Sequence, residues 1–440
     1  MLLEPLAHIG RDPATGGYVR DAWSDADMEL REWFAGEARR RGLDLREDRN
    51  GNLWAWWGSP SRDRPGVVTG SHLDSVRQGG AYDGPLGVVS AFAALDLLRQ
   101  RGTRPAVPVG VVCFTDEEGA RFGVPCMGSR LLTGVLGPDR ALALTDDSGD
   151  TLADVLTKAG RAAHEIGRDD ETLAMVGTFV ELHVEQGRGL VDEGRPVGVA
   201  RAIWPHGRWR FDFRGRADHA GTTRLADRDD PMLPFARMVL AARTAAAERG
   251  VVATVGKVRI SPGNANAIPG LVSAWLDARG ADERAVRDLV AELAHEASSG
   301  AAGGDMADRP GTNGGAGGGA GGGAGGGPGS GAGGGADRRI EGRGEGRVEV
   351  REESWTPVVD FDAALRERLA RVAGGDTPAP ILPTGAGHDA GILAAAGVPS
   401  GMLFVRNPTG VSHSPHEHAE QADCEAGVIA LADVLEDLCR

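Results

Sequence analysis

The sequence predicts an α/β protein: a mostly parallel sheet flanked by helices, with a smaller α+β lid or dimerisation domain inserted into it. Three observations predict this. Near-continuous apolar strands alternate with helical periodicity up to Thr115, the signature of a sheet covered on both faces. From about Arg208 the strands become alternating, as in a half-exposed sheet. After a Gly/Ala-rich segment, buried-strand and helix patterns return to the C-terminus. The expected boundaries are 1–206 and 354–440 for the metal-binding catalytic domain and 207–353 for the inserted domain.

Residues 24–42 read as a helix, with Met28, Leu30, Trp33 and Phe34 spaced for one buried face. Asn52–Trp57 and Gly66–Ser71 read as strands, Gly87–Arg99 as a helix, and Val107–Thr115 as a fully buried strand. His72 and Asp116–Glu118 then follow strand ends, where α/β sheets gather ligands. In the inserted domain, Arg208–Arg216, Val251–Gly256 and Leu271–Arg279 read as strands, and Pro231–Glu248 and Asp282–Ala297 as helices. Residues 299–336 are mostly Gly and Ala, cannot bury enough apolar surface to offset their ordering entropy, and are expected to form a disordered surface loop. A strand from Gly346, a helix Ala363–Val372, a helix Ala390–Ala396, a buried strand Met402–Val405 and a closing helix Glu425–Cys439 complete the chain.

The 440 residues exceed one typical core, and 41% hydrophobic with 25% charged residues is an ordinary globular balance. A net charge of −15 argues against nucleic-acid and anionic-membrane partners, but a well-placed Arg can still bind an acidic small molecule. The four cysteines, Cys113, Cys126, Cys424 and Cys439, have no CxxC spacing and indicate neither a disulfide scaffold nor a structural zinc knot. Glu4 lies where a signal peptide is apolar, and Asp96 interrupts the most apolar run, so the expected location is cytoplasmic.

The chemistry starts at Gly70-Ser-His-Leu-Asp-Ser and Tyr82-Asp-Gly, which set His72, Asp74 and Asp83 in a Gly-rich aliphatic setting. Unpaired charge is costly to bury there, and a metal ion is the simplest remedy. Further donors follow in Asp116-Glu-Glu-Gly, Leu182-His-Val-Glu-Gln-Gly and Ser412-His-Ser-Pro. Asp74 suits a carboxylate that fixes the His72 tautomer. Asp83 is either a turn residue or a bridge between two cations. Glu117 and Glu118 repel unless one meets a metal and the other keeps a proton partner, dividing ligand from general base; a solvated acidic loop is the alternative. His183 shares a strand face with Glu181 or Glu185, and His413 has His416 and His418 nearby as alternative ligands or surface residues. Arg279 ends an apolar strand, where its fork fits a carboxylate in two parallel bonds, or it pairs with Asp277 at the surface.

With Asp218-His-Ala-Gly-Thr-Thr, Asn264-Ala-Asn-Ala-Ile-Pro-Gly and Gly385-Ala-Gly-His-Asp-Ala, these motifs make the chain resemble the N-carbamoyl-L-amino acid hydrolases and allantoate amidohydrolases. Those enzymes, with β-ureidopropionase, form the amidohydrolase branch of a dinuclear-zinc metallopeptidase superfamily. The resemblance implies that His72 and His183 bind one or other of two divalent ions, that Asp83 bridges them, and that Glu118 and His413 complete the ligand set. Zinc or manganese is implied, with cobalt or nickel also suited to such ligands. Glu117 is then the general base, and His219 reaches a partner subunit's site in a homodimer, holding substrate and stabilising the oxyanion. Asn266 and Arg279 match the family's substrate-carboxylate binders, and Gln186 and His388 match further active-site positions. Two features depart from the family pattern: Arg224-Leu225 stands where Pro-Met is common, and the Gly/Ala-rich insertion is extra.

The implied reaction is cleavage of a ureido C–N bond in allantoate or an N-carbamoyl-L-amino acid, releasing ammonia and carbon dioxide, with a small ureido carboxylate as the substrate. The competing readings are a metallopeptidase or aminoacylase acting on N-acyl amino acids or dipeptides, and a non-catalytic relative.

Overall fold

The computed structural model describes residues 2–299, 339–340 and 348–440. Two compact units are present: Met1–Trp204 with Val359–Arg440, and Pro205–Val358. The expected disordered loop, 299–336, lies outside the described residues except for Ser299, which ends a helix.

The first unit contributes β1 (Asp44–Glu47), β2 (Leu53–Trp57), β3 (Gly66–His72), β4 (Val109–Phe114), β5 (Val176–Val184) and β6 (Val197–Ile203). The second contains β7 (His206–Arg214), β8 (Asp218–His219), β9 (Val252–Ser261), β10 (Ala267–Ile268), β11 (Leu271–Arg279), β12 (Arg339–Ile340) and β13 (Val348–Thr356). The chain returns to the first unit with β14 (Val359–Asp360), β15 (Ile381–Thr384) and β16 (Ser400–Val405). Within the described residues the strand expected from Gly346 starts at Val348.

The first unit is built on a nine-stranded sheet in the order β1-β2-β4-β3-β5-β16-β6-β14, with β15 also on β6. Its centre is parallel, through β4–β3, β3–β5 and β5–β16, and antiparallel pairs lie towards both edges. β3, β4 and β16 are buried along their whole length, which is why they do not alternate between apolar and exposed polar residues. The helix Pro85–Gln100 carries the chain from β3 to β4 and packs on the closing helix Gln421–Leu438. The helix Asp25–Arg40 starts where Ser24 accepts the Asp27 N–H, with Asp25 and Asp27 at the positive end of its dipole.

The second unit is a five-stranded antiparallel sheet, β12-β13-β7-β11-β9, with a separate β8–β10 ribbon. Alternation along β7 sends Trp209, Phe211 and Phe213 into a core shared with Met238 and Ala242 of helix Met232–Arg249 and with Leu289 and Leu293 of helix Glu283–Ser299. The other edge strand, β9, is mostly exposed and carries Val252, Val258 and Ile260 at the surface.

Candidate metal centre

Because β4, β3 and β5 are parallel neighbours, their C-terminal ends open on one edge of the sheet. His72 is the last residue of β3, Glu117 and Glu118 follow β4, and His183 is the penultimate residue of β5. Asp83 comes from the turn before helix Pro85–Gln100, and His413 from the loop between β16 and the closing helix. These elements bring together all five expected ligands and the expected base.

Asp83 lies at the centre. Its Oδ1 is 3.2 Å from His183 Nε2 and 3.6 Å from His72 Nε2, and its Oδ2 is 3.5 Å from His413 Nε2. His413 Nε2 is also 3.4 Å from Glu118 Oε2, and His72 Nε2 is 3.6 Å from Glu117 Oε2. Two donor sets result, His72–Asp83–His183 and Asp83–Glu118–His413, each with its ligand atoms within 4.8 Å of one another. They share Asp83. All but the partly exposed Glu118 and the more exposed His413 are buried.

The hydrogen bonds aim the donors. His72 Nδ1 lies 3.1 Å from the Asp74 carbonyl and His183 Nδ1 2.9 Å from the Val184 carbonyl, so each ring donates from Nδ1 and turns an Nε2 lone pair towards Asp83. Neither Nε2, nor Glu118 Oε1, makes a hydrogen bond, although all three are buried. Lone pairs facing a carboxylate in a dry site repel unless a cation lies between them, so this donor set fits a divalent metal site. The charge balance points the same way. Burial opposes charge on His72 and His183, yet Glu117 and Asp83 outweigh it, holding His72 well above its ordinary value and pushing His183 up to about 9. Burial drives Glu117 well above the usual carboxylate range, and burial with Asp83 pushes Glu118 up to about 8. A dication held among these donors would take the place of those protons.

Two sequence readings change in detail. The Asp74 main-chain carbonyl takes the 3.1 Å contact from His72 Nδ1 with the Asp74 carboxylate 3.5 Å from the same nitrogen, and that carboxylate also accepts the N–H groups of Glu117 (3.1 Å) and Glu118 (3.0 Å) and so positions that pair. Of the two acids considered beside His183, Glu181 groups with His183 and His388, while Glu185 accepts the N–H groups of Gly189 and Leu190. His416 is exposed, His418 lies 3.2 Å from Glu420, and neither joins a donor set among the described residues.

Gln186 and His388 also reach the cluster. Gln186 donates to Asp83 Oδ2 at 2.8 Å, and the His388 ring centroid lies 4.5 Å from that of His183. Burial, then the neighbouring His183, holds His388 well below its ordinary value, so it stays neutral. Sequence reasoning misses Glu417 and Cys126. Glu417 Oε2 accepts the N–H groups of Tyr82 (2.9 Å) and Asp83 (3.0 Å), fixing the Asp83 turn, and Cys126 Sγ donates to Glu117 Oε1 at 3.2 Å. Neither has a spacing signal in the sequence: Glu417 stands among surface-like histidines, and Cys126 is an isolated cysteine.

His219, Asn266 and Arg279 belong to the second unit. His219 pairs with Ala267 across the β8–β10 ribbon, and Ala220 N–H donates to the Asn266 carbonyl at 3.0 Å, so these two residues are neighbours. His219 Nδ1 accepts the N–H groups of Gly221 (2.9 Å) and Thr222 (3.2 Å), which leaves the ring proton on the exposed Nε2. Arg279 makes a two-pronged pair with Asp277, both contacts at 2.7 Å, the surface alternative weighed from sequence. It also lies at the far end of β11 from Asn266: eight residues of strand from Leu271, about 27 Å.

Residues 68–437 match the family described as Peptidase family M20/M25/M40. An N-carbamoyl-L-amino acid amidohydrolase of Geobacillus stearothermophilus is 33% identical over 436 residues, covering 98% of this chain and 95% of that protein. An allantoate amidohydrolase of Escherichia coli (strain K12) is 30% identical over 438 residues, with coverage of 98% and 95%. The crystal structure of a hydantoinase/carbamoylase-family amidase from Burkholderia vietnamiensis covers 99% of this chain and 95% of its own, with a TM-score of 0.81 at 28% identity. The chain belongs to peptidase family M20/M25/M40 and, within it, to the group that contains the N-carbamoyl-L-amino acid and allantoate amidohydrolases.

Proposed function

We propose that this chain hydrolyses the ureido C–N bond of allantoate or an N-carbamoyl-L-amino acid, releasing ammonia and carbon dioxide, at two divalent ions bridged by Asp83. Its family makes it a hydrolase of amide C–N bonds. The observation that carries the reading is the Asp83 carboxylate, each oxygen of which faces histidine Nε2 atoms of a different donor set.

In this reading His72 and His183 would hold one ion and Glu118 and His413 the other, with Asp83 shared between the two sets. Zinc or manganese suits the ligands, as do cobalt and nickel. When bound, the ions supply a water of lowered pKa and a polarised ureido carbonyl. Glu117 Oε2 takes the proton of the attacking water and passes it to the leaving nitrogen. His219 offers its Nε2 proton to the developing oxyanion. Asn266 and Arg279 bind the substrate carboxylate, with Asp277 holding the guanidinium in place, and Gln186 and His388 line the site.

A small ureido acid does not span the ~27 Å of strand that separates Leu271, five residues after Asn266, from Arg279 of the same chain. The proposal therefore assigns a homodimer, in which His219 and Asn266 of one subunit complete the site that holds the other subunit's Arg279. The edge of β9, unpaired among the described residues and with Val258 and Ile260 exposed, and Leu233 and Leu240 exposed on helix Met232–Arg249 support a subunit contact. Four unpaired cysteines support a reducing, cytoplasmic location, and among the described residues no helix is long and apolar enough to cross a membrane.

The test is a panel of allantoate, N-carbamoyl-L-amino acids, N-acyl amino acids and dipeptides, assayed on metal-loaded enzyme. Ammonia release confined to the ureido acids is the expected result. Cleavage of acyl amino acids or dipeptides alone would make the chain an aminoacylase or peptidase, and silence on every substrate would make it a non-catalytic relative.

A further inference from the structure

Cys126 is bound to Glu117 at both ends. Its main-chain N–H donates to the Glu117 carbonyl at 2.6 Å, and its thiol donates to Glu117 Oε1 at 3.2 Å. Among the described residues, that thiol contact is the one hydrogen bond the Glu117 carboxylate receives. The other oxygen, Oε2, is the one that lies 3.6 Å from His72 Nε2, on the side of the donor cluster.

The backbone is shaped to make this contact. Cys126 has φ +54°, a left-handed conformation uncommon for a residue with a Cβ. It is held there by the bonds of the next two residues: Met127 N–H to the Asp116 carbonyl (3.0 Å) and Gly128 N–H to the Thr115 carbonyl (2.8 Å). The segment 126–128 thus runs back along 115–117, and the helix Met127–Thr133 starts from it. Cys126 is 3% exposed, and burial, then Glu117, keeps its thiol protonated and able to donate. The chemistry of the donor also matters. A carboxylate in a dry site that must move protons needs a fixed orientation, but a strong donor would weaken it as a base. A thiol is a weak donor, so it orients Oε1 while leaving Oε2 basic.

We propose that Cys126 is a positioning residue for the proton-transferring carboxylate: its S–H fixes Glu117 Oε1 so that Oε2 faces the reacting water. This rests on the reading of Glu117 as the base.

The experiment compares C126A and C126S with the wild type, using allantoate and N-carbamoyl-L-alanine as substrates. It records kcat, KM, metal content and thermal midpoint. C126A is expected to lower kcat about fivefold, with KM within about twofold and metal content and midpoint unchanged. C126S, which restores a donor for Oε1 although a stronger one, is expected to recover part of that loss and to leave kcat above that of C126A. Wild-type kcat in C126A overturns the proposal. So do equal losses in both variants, or losses that track metal content or midpoint, because those mark a merely structural role. E117Q in the same assay separates the two levels. Turnover by E117Q removes the reading of Glu117 itself, whereas an inactive E117Q beside a wild-type C126A removes only Cys126.

Discussion

Asp83 holds its orientation before any ion arrives. Glu417 fixes its main-chain N–H, and Gln186 (2.8 Å) and Ser412 (3.1 Å) donate to Oδ2. Burial raises its pKa, but His183, with His72 and His413, outweighs burial and keeps the carboxyl well below the usual range, hence ionised. A ligand restrained in this way loses little freedom when it bridges two cations. Glu117 differs, because no donor set includes it. Replacing Glu117 by Gln is therefore expected to lower kcat by at least about a thousandfold while elemental analysis finds the wild-type metal content; equal loss of metal would contradict its role as base. Most of this is legible in the sequence, because His72, Glu117, Glu118 and His183 follow or end apolar strands and Asp83 sits in a Gly-flanked turn. Glu417 and Cys126 are not legible. An acid among surface-like histidines and a single cysteine carry no spacing signal, and only the tertiary fold brings them to Asp83 and Glu117.

Elements explain why the motifs contain glycine. Gly84 has φ +83°, and a Cβ there would meet the His72 ring at 2.4–2.6 Å, so the Asp83 turn and the β3 imidazole close on each other without room for a side chain. Gly84→Ala is expected to push the His72 ring off its position and weaken metal binding about tenfold or more, read by chelator competition, with the far-ultraviolet circular dichroism unchanged. Wild-type affinity in that variant would show that the ring does not need this seat. Gly70 performs a related service inside the sheet: at φ +145° its Cβ would fall 1.9 Å from the Val112 carbonyl of β4. The sequence reveals that these glycines flank ligands, but not what each one clears. The same limit applies to Asp74, whose spacing from His72 is visible, whereas the contact of its backbone carbonyl with His72 Nδ1 is not.

At the scale of the whole molecule, titration and assembly make separate predictions. Burial lifts Glu118 and Asp389 to about 8 and Glu417 to about 7, and Asp83, against burial, lifts His183 to about 9. The folded, metal-free chain then binds more protons than the unfolded one. The stability these groups contribute is fully present below about pH 4 for the carboxylates and below about pH 6.5 for His183, and is lost as pH rises towards about 9. The melting midpoint of chelator-treated protein is expected to fall between pH 5.5 and 9, and added zinc or manganese to raise it more at pH 8.5 than at pH 5.5; a flat or rising apo curve would contradict this. The alternation of β7 and β11 reveals the second unit in the sequence, but the thirteen-residue spacing of Asn266 and Arg279 conceals that Arg279 stands at the far end of β11, whose near end follows Asn266. Mixing E117Q with H219A chains tests that separation: mixed dimers contain one site with both residues intact and are expected to recover up to about half of wild-type activity, whereas no recovery would put His219 in its own chain's site. The most direct measurement of the central claim is ammonia release from allantoate and N-carbamoyl-L-amino acids while a divalent ion is returned stepwise to metal-stripped enzyme. The account predicts no release at zero loading and a rise that saturates at two ions per chain; release from the fully stripped enzyme, or none at any loading, would contradict it.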